Sequence, residues 1–253
     1  MSSREPAPPL CAVLIGASGR MGRAILAAAA QFPGLTFVGA IASTDSAVLG
    51  RDSGVVAGGT PNHLPISSDL GTALPRAQVV IDFSTGQATR ENLRACRAAR
   101  KPLLIGTTGF ASQLESQFAA AAREIPLLIA PNTSPGVTLL MELTRIAARA
   151  LPGFAAGITE THHREKRDAP SGTALSLAAA IGAGTPIVSV REGEVVGEHT
   201  VRFAGSGEEL TLTHRALERD VFARGALAAA LWLSSQSAGR YEMRDAMGFK
   251  TVT

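Results

Sequence analysis

The sequence predicts an α/β protein in two domains: a Rossmann-type doubly wound parallel sheet, and a second α+β domain with a mainly antiparallel open sheet. Three observations predict this. Leu10-Cys-Ala-Val-Leu-Ile15 is an unbroken apolar run that passes directly into Gly16-Ala-Ser-Gly-Arg-Met-Gly22. Such a run suits a central parallel strand covered on both faces. Later apolar runs end, like the first, in small polar turns that contain glycine. After Phe154 the pattern becomes alternation: Val201, Phe203, Leu210 and Leu212 alternate with polar residues, as in a sheet buried on one side.

In chain order, a helical pattern covers Arg23 to Phe32 and stops at Pro33-Gly34. Thr36–Ala42 then completes a β-α-β unit. Glycines between a buried strand and a helix let the chain turn tightly and bring a pyrophosphate against helix N–H groups. The spacing is G-x-x-G-x-x-G, so the signal rests on its strand and helix context. After the second strand, Ser43 stands where an acidic residue would bond ribose hydroxyls, and Asp45 lies two residues on. Arg20 and Arg51 are possible partners for a 2′-phosphate, so NADPH and NADH both stay open.

Residues 46–76 are rich in Gly, Ser and Pro and read as a long excursion, with His63 on the surface. Strands are expected at 77–83, 102–105 and 126–130, and helices at 87–100 and 112–124. In open parallel sheets a ligand lies across the carboxyl ends of the strands. The turns Gly16–Gly22, Gly106–Gly109 and Ala130–Thr133 therefore converge on one crevice, which favours a dinucleotide. A helix at 137–150 leaves the sheet. Phe222–Leu233 is an apolar helix that carries the only Trp and reads as core packing.

The bulk numbers narrow the function. With 253 residues and 45% apolar content, the chain is long enough for two small domains. A net charge of +3 is too small and dispersed to argue nucleic-acid binding. Cys11 and Cys96 form neither a disulfide framework nor a metal-ligand spacing, so no metal is expected. No apolar run is long enough to span a membrane. The first nine residues read as a frayed tail, and the protein as cytoplasmic.

The chemistry centres on Glu160-Thr-His-His-Arg-Glu-Lys-Arg-Asp-Ala-Pro-Ser-Gly-Thr173. His162, His163, Arg164, Lys166 and Arg167 fall within six positions. An arbitrary basic run is a solvated loop. Here it precedes a helix that Pro170 is expected to open, with Ser171, Gly172 and Thr173 in its first turn. Unpartnered N–H groups there form an anion cradle behind a cation cluster. Together with a dinucleotide crevice, this predicts hydride transfer to a substrate bearing carboxylates or phosphates. Hydride addition to C=C or C=N leaves a developing negative charge, for which a histidine is the natural proton donor. Successive strand side chains face opposite ways, so His162 and His163 are expected to do different jobs. By residue type and spacing, His162 and His163 are equal candidates for the donor.

The chain resembles the dihydrodipicolinate reductase family over nearly its whole length. The resemblance rests on Gly16–Gly22, Asp82-Phe-Ser84, Gly106-Thr-Thr-Gly109, Ala130-Pro-Asn-Thr-Ser134, Phe222-Ala-Arg-Gly-Ala226 and, above all, Glu160-x-His-His-x-x-Lys-x-Asp-Ala-Pro-Ser-Gly-Thr173. It implies a dinucleotide-binding domain over 1–133 completed by 219–253, and a substrate-binding and tetramerisation domain over 134–218. By the same resemblance His162 is the proton donor and Lys166 its assistant, while His163, Ser171, Gly172 and Thr173 hold a dicarboxylate. Cofactor contacts fall to Gly16, Ala17, Ser18, Gly19, Arg20, Met21, Ser43, Gly106, Thr107, Thr108, Ala130, Pro131, Asn132 and Thr133. The implied reaction is NAD(P)H-dependent reduction of 4-hydroxy-tetrahydrodipicolinate in lysine biosynthesis by a homotetramer. Ser43 and Thr133 depart from the residues that many members carry there. The competing readings are another Rossmann amino-acid dehydrogenase, and a non-catalytic NADP(H)-binding regulator. The intact His-His and Lys constellation argues against the regulator, which needs no proton donor.

Overall fold

The computed structural model describes residues 8–110 and 114–249. The chain opens with β1 (Leu10–Ile15), α1 (Arg20–Ala29) and β2 (Leu35–Ile41). Next come α2 (Ser53–Val56), β3 (Ile66–Ser67), α3 (Leu70–Ala73) and a 3-10 turn over Leu74–Arg76. Then β4 (Val79–Asp82), α4 (Thr89–Ala98), β5 (Leu103–Ile105), α5 (Leu114–Ala122) and β6 (Pro126–Ile129) alternate. A second segment holds α6 (Pro135–Ala150), β7 (Ala155–His162), α7 (Gly172–Ile181), β8 (Ile187–Arg191), β9 (Gly197–Ala204) and β10 (Glu209–Ala216). The chain closes with α8 (Asp220–Leu233), β11 (Gly239–Tyr241) and α9 (Met243–Ala246).

Two compact units result: 1–133 with 222–253, and 134–221. The first is built on a seven-stranded sheet in the order β11-β6-β5-β4-β1-β2-β3, and all its pairings are parallel. Side chains of β1 alternate between its two faces. Ala12 and Leu14 join Ile25, Leu26, Ala226, Leu227 and Leu233 on one side. Val13 and Ile15 join Leu93, Leu114 and Phe118 on the other. Both faces are thus covered, which explains why the strands read as continuous apolar runs.

The excursion over 46–76 has more order than its composition suggests. Asp52 caps α2 by accepting from Val55 N at 3.1 Å and also binds His63 N at 2.7 Å. This folds the segment back so that β3 pairs with β2. His63 is exposed, as expected for a surface residue. The strand β11 had no signal in its sequence, because Gly239-Arg-Tyr241 is short and lies at the sheet edge. Residues 112 and 113 of the helix expected over 112–124 lie outside the described residues, as do residues 1–7 of the expected tail.

Asp82 ends β4 fully buried and joins two turns of this unit. Its carboxylate accepts from Ser84 N at 2.8 Å and from Asn92 Nδ2 at 3.0 Å, and Thr107 Oγ1 lies 3.4 Å away. Burial pushes the Asp82 carboxyl up, against these donors. Asp82→Ala leaves the donors without their acceptor and is expected to cost about 2 kcal/mol. A carboxyl raised in the folded state contributes most stability below its ordinary value and loses it as pH rises. Thermal melts should therefore show the deficit growing as pH is lowered.

The second unit is an α/β layer with sheet order β10-β9-β7-β8. The β10–β9 and β9–β7 pairs are antiparallel, and β7–β8 is parallel. The helices α6 and α7 bury one face through Leu140, Ala147, Ala174 and Leu177 against Ile158, Val201 and Phe203. The alternate positions Thr159, Thr161, Thr200, Thr211 and Thr213 belong to the opposite face, where Thr200 Oγ1 and Thr213 Oγ1 are 3.0 Å apart.

Candidate active site

In the first unit the turns after β1, β4, β5 and β6 share the carboxyl edge of the sheet. Gly16 has φ +86, a left-handed value that favours glycine, and a Cβ there would overlap the Phe83 carbonyl. Gly22 sits so close under the turn that a Cβ would meet Gly16 O and lie 2.8 Å from Ala17 Cα. The helix α1 begins one turn earlier than its apolar periodicity suggests, at Arg20. Its N-cap, Gly19, makes no side-chain capping bond, and no acidic residue lies in the first turn. Backbone donors and the positive end of the helix dipole are therefore left for an anion. These residues fit a dinucleotide pyrophosphate.

Gly16, Ala17, Ser18 and Gly19 form that turn, with Arg20 and Met21 in the first turn of α1. Ser43 follows β2, exposed. Its hydroxyl bonds the Asp45 carboxylate and holds that carboxyl below its ordinary value. An acid thus stands near the end of β2 after all, bonded to Ser43. Gly106 and Thr107 are buried beyond β5, whereas Thr108 is exposed. Ala130 and Thr133 are buried beyond β6, Asn132 is half-buried and Pro131 exposed. Thr133 Oγ1 donates to Phe222 O at 2.7 Å and so ties the last of these turns to α8.

In the second unit β7 carries Glu160 and His162 two residues apart, on the same strand face. Both are buried. Glu160 Oε2 bonds His162 Nδ1. Glu160 Oε1 accepts from Arg191 Nη2 at 2.8 Å and from Ser171 N at 3.3 Å. Burial resists ionisation of Glu160, but bonds from Arg191, Ser189 and His162 outweigh it and hold the carboxyl at about 2. His162 is lowered from its ordinary value, first by burial, with Lys166 and Arg191 acting in the same sense and Glu160 opposing them.

Lys166 Nζ is bonded to both oxygens of Asp168, at 2.8 and 2.9 Å. Arg191 also donates to Asp168 O at 2.6 Å and to Lys166 O at 3.3 Å. The strand ends at His162, so strand alternation does not separate the two histidines. Instead His163 lies beyond β7, where its N–H donates to Val195 O at 2.8 Å and its ring is half-buried. The helix α7 begins at Gly172 rather than at Pro170. Ser171 is the N-cap, and its Oγ accepts from Ala174 N at 3.2 Å. A short hydroxyl side chain caps a helix better than proline can start one here. Gly172 is exposed and Thr173 half-buried in the first turn.

Residue-pattern reasoning assigned no role to Glu160, Arg191 or His199. Strand register places Glu160 opposite Ser189 and His199, and His162 opposite Arg191. His199 opposes His214 in the next pair. His199 Nε2 lies 3.2 Å from Ser171 Oγ, and its ring meets that of His162 edge-on at 5.1 Å. Burial pushes His199 down to about 4. The Glu160 signal was present in the spacing, since a carboxylate two residues before a strand histidine shares its face. The other two needed the register. Glu160, His162 and His199 bring donor atoms within 4.8 Å of one another, and the Arg191 guanidinium already supplies a countercharge to Glu160 there.

The parallel sheet, with its glycine turn at the carboxyl edge, is of the dinucleotide-binding oxidoreductase class. Family models described as "Dihydrodipicolinate reductase, N-terminus" and "Dihydrodipicolinate reductase, C-terminus" match residues 11–133 and 136–247. A 4-hydroxy-tetrahydrodipicolinate reductase of Anaeromyxobacter dehalogenans (strain 2CP-C) is 41% identical, covering 94% of this chain and 97% of its own. One from Syntrophotalea carbinolica is 40% identical, covering 93% and 97%. The chain belongs to the dihydrodipicolinate reductase family. A dipicolinate-bound dihydrodipicolinate reductase from Paenisporosarcina sp. TG-14 shares the fold, with a TM-score of 0.74 at 23% identity, covering 92% of this chain and 97% of its own.

Proposed function

We propose that this protein reduces 4-hydroxy-tetrahydrodipicolinate, a cyclic unsaturated dicarboxylate imine, to tetrahydrodipicolinate in the diaminopimelate route to lysine. The substrate loses its 4-hydroxyl as water and gains a hydride and a proton. Reduced nicotinamide supplies the hydride when bound. The observation that carries the reading is the buried His162, held at Nδ1 by Glu160 in a unit where Arg191 also ties down the Lys166 loop. His162 delivers the proton from its other nitrogen. Lys166 offsets the charge that develops as the hydride arrives. His163, Ser171, Gly172 and Thr173 hold the carboxylates through side-chain and helix-end donors.

Gly16–Met21, Ser43, Gly106–Thr108 and Ala130–Thr133 bind the dinucleotide. The Asp45 carboxylate beside Ser43 favours the ribose hydroxyls of NADH, and Arg20 offers charge to the 2′-phosphate of NADPH, so both are accepted. The threonine-rich face of the second-unit sheet, with Val188 58% exposed, supports assembly of a homotetramer through that sheet. Among the described residues no helix is long and apolar enough to cross a membrane, in keeping with a cytoplasmic enzyme.

An assay in which the upstream synthase supplies the substrate tests this directly, with NADH and NADPH oxidation compared. Cofactor oxidation with oxaloacetate and ammonia, but none with the synthase product, would replace it by the amino-acid dehydrogenase reading. Lys166→Ala is expected to lower kcat by about 10²-fold, the scale for losing one group aimed at developing charge. Its pair with Asp168 is 23% and 60% exposed, so the melting temperature should hardly move. A rate near that of wild type would remove Lys166 from the chemistry.

A further inference from the structure

We infer that Glu160 and Arg191 are positioning residues for the reduction: their ion pair clamps His162 at Nδ1 so that Nε2 is its working nitrogen, and Arg191 fixes the Lys166 loop with the same guanidinium. The inference rests on the function proposed above and extends it to two residues with no assigned role. Glu160 is fully buried, where a lone carboxylate would take up a proton and lose its hold on an imidazole. Arg191 prevents this through its bond to Oε1 and leaves Oε2 for His162. A histidine nitrogen bonded to a carboxylate carries its proton there, which sets the tautomer and the direction of the ring.

The rest of the fork points to the loop. Arg191 Nη2 also reaches Asp168 O at 2.6 Å, and Nε reaches Lys166 O at 3.3 Å. Asp168 in turn holds Lys166 Nζ. One planar group therefore links the proton donor's partner to the backbone that carries the second cation. A lysine has no such fork. The other ring nitrogen faces Gly197, where an added Cβ would come within 3.1 Å of Nε2. Glycine at the start of β9 leaves Nε2 uncrowded. The charged and titratable groups around His162 are Glu160 on its own strand, Arg191 on β8, His199 on β9, and Lys166 with Asp168 in the loop. His214 on β10 acts on His199.

Glu160→Gln keeps the shape and removes the charge. Its kcat should fall by about 10²-fold, and KM for the substrate should stay within about threefold. Because Glu160 supports the protonated ring, the alkaline limb of the kcat/KM profile should move to lower pH. Arg191→Lys should lower kcat by about tenfold, and adding it to Lys166→Ala should cost less than it does in the wild type, because only the share that acts through Glu160 and His162 is left to lose. Unchanged pH limbs and additive losses would overturn the inference, as would losses that track the melting temperature alone. Nitrogen-15 NMR of His162 in the wild-type protein decides it independently of turnover. A neutral ring protonated at Nδ1 supports it, and one protonated at Nε2 overturns it. Absence of turnover in the wild type with the synthase product would instead count against the proposed function, while the NMR result stood.

Discussion

His162→Gln lowers kcat by about 10²–10⁴-fold, the range for removing a general acid. The expected result follows from where the ring sits. His162 is 8% exposed, and its Nδ1 is committed to Glu160, so only Nε2 is left to exchange a proton with substrate. Glutamine has no group that both donates and reprotonates near neutral pH. The wild-type profile carries a second signature. Burial lowers His162 from its ordinary value of 6.5. An acid must be protonated to act, so kcat/KM falls as pH rises through a value below 6.5. In His162→Gln that limb should vanish. A variant that keeps both the rate and the limb would show that the proton comes from elsewhere.

Gly22→Ala is expected to weaken dinucleotide binding by at least about 10²-fold and to lower the melting temperature. The new Cβ would collide with Gly16 O and crowd Ala17 Cα at 2.8 Å. Both are backbone atoms of the turn that presents its donors to the pyrophosphate, so no rotamer relieves the clash. Overpacking of this kind costs about 1–3 kcal/mol, or roughly 2–4 °C per kcal/mol in a chain of this size. Fluorescence titration with NADH and NADPH, beside a thermal melt, checks both parts. Wild-type affinity in Gly22→Ala would mean that the turn does not hold the cofactor.

The parallel sheet was legible because strands covered on both faces leave an unbroken apolar record, as in Val79–Asp82 and Leu103–Ile105. The glycine turn was legible because close backbone packing excludes other residues at Gly22. Helix starts were less so. At α7 a serine cap displaced a proline start by two residues. At α1 the helix begins on Arg20 and Met21, before the apolar stripe. The excursion over 46–76 hid its order because Asp52 organises it through backbone N–H groups, which leave no periodicity. In the second unit the histidines and lysine stood out by type and spacing. Arg191 and His199 did not, since their meeting with Glu160 depends on which strand pairs with which.

The last 32 residues, 222–253, belong to the same compact unit as the first 133. Ala223, Ala226, Leu227, Ala230 and Leu233 lie in the core that also holds Ala12, Leu14 and Ile81. A nascent chain therefore shows one greasy side of its first sheet to the cell until α8 leaves the ribosome. Synthesis of the intervening segment comes between, so the unit begun first is the unit finished last. Premature stop codons after residue 221 would yield a chain that chaperones and proteases meet as incomplete, even with every residue of the Glu160 network already made.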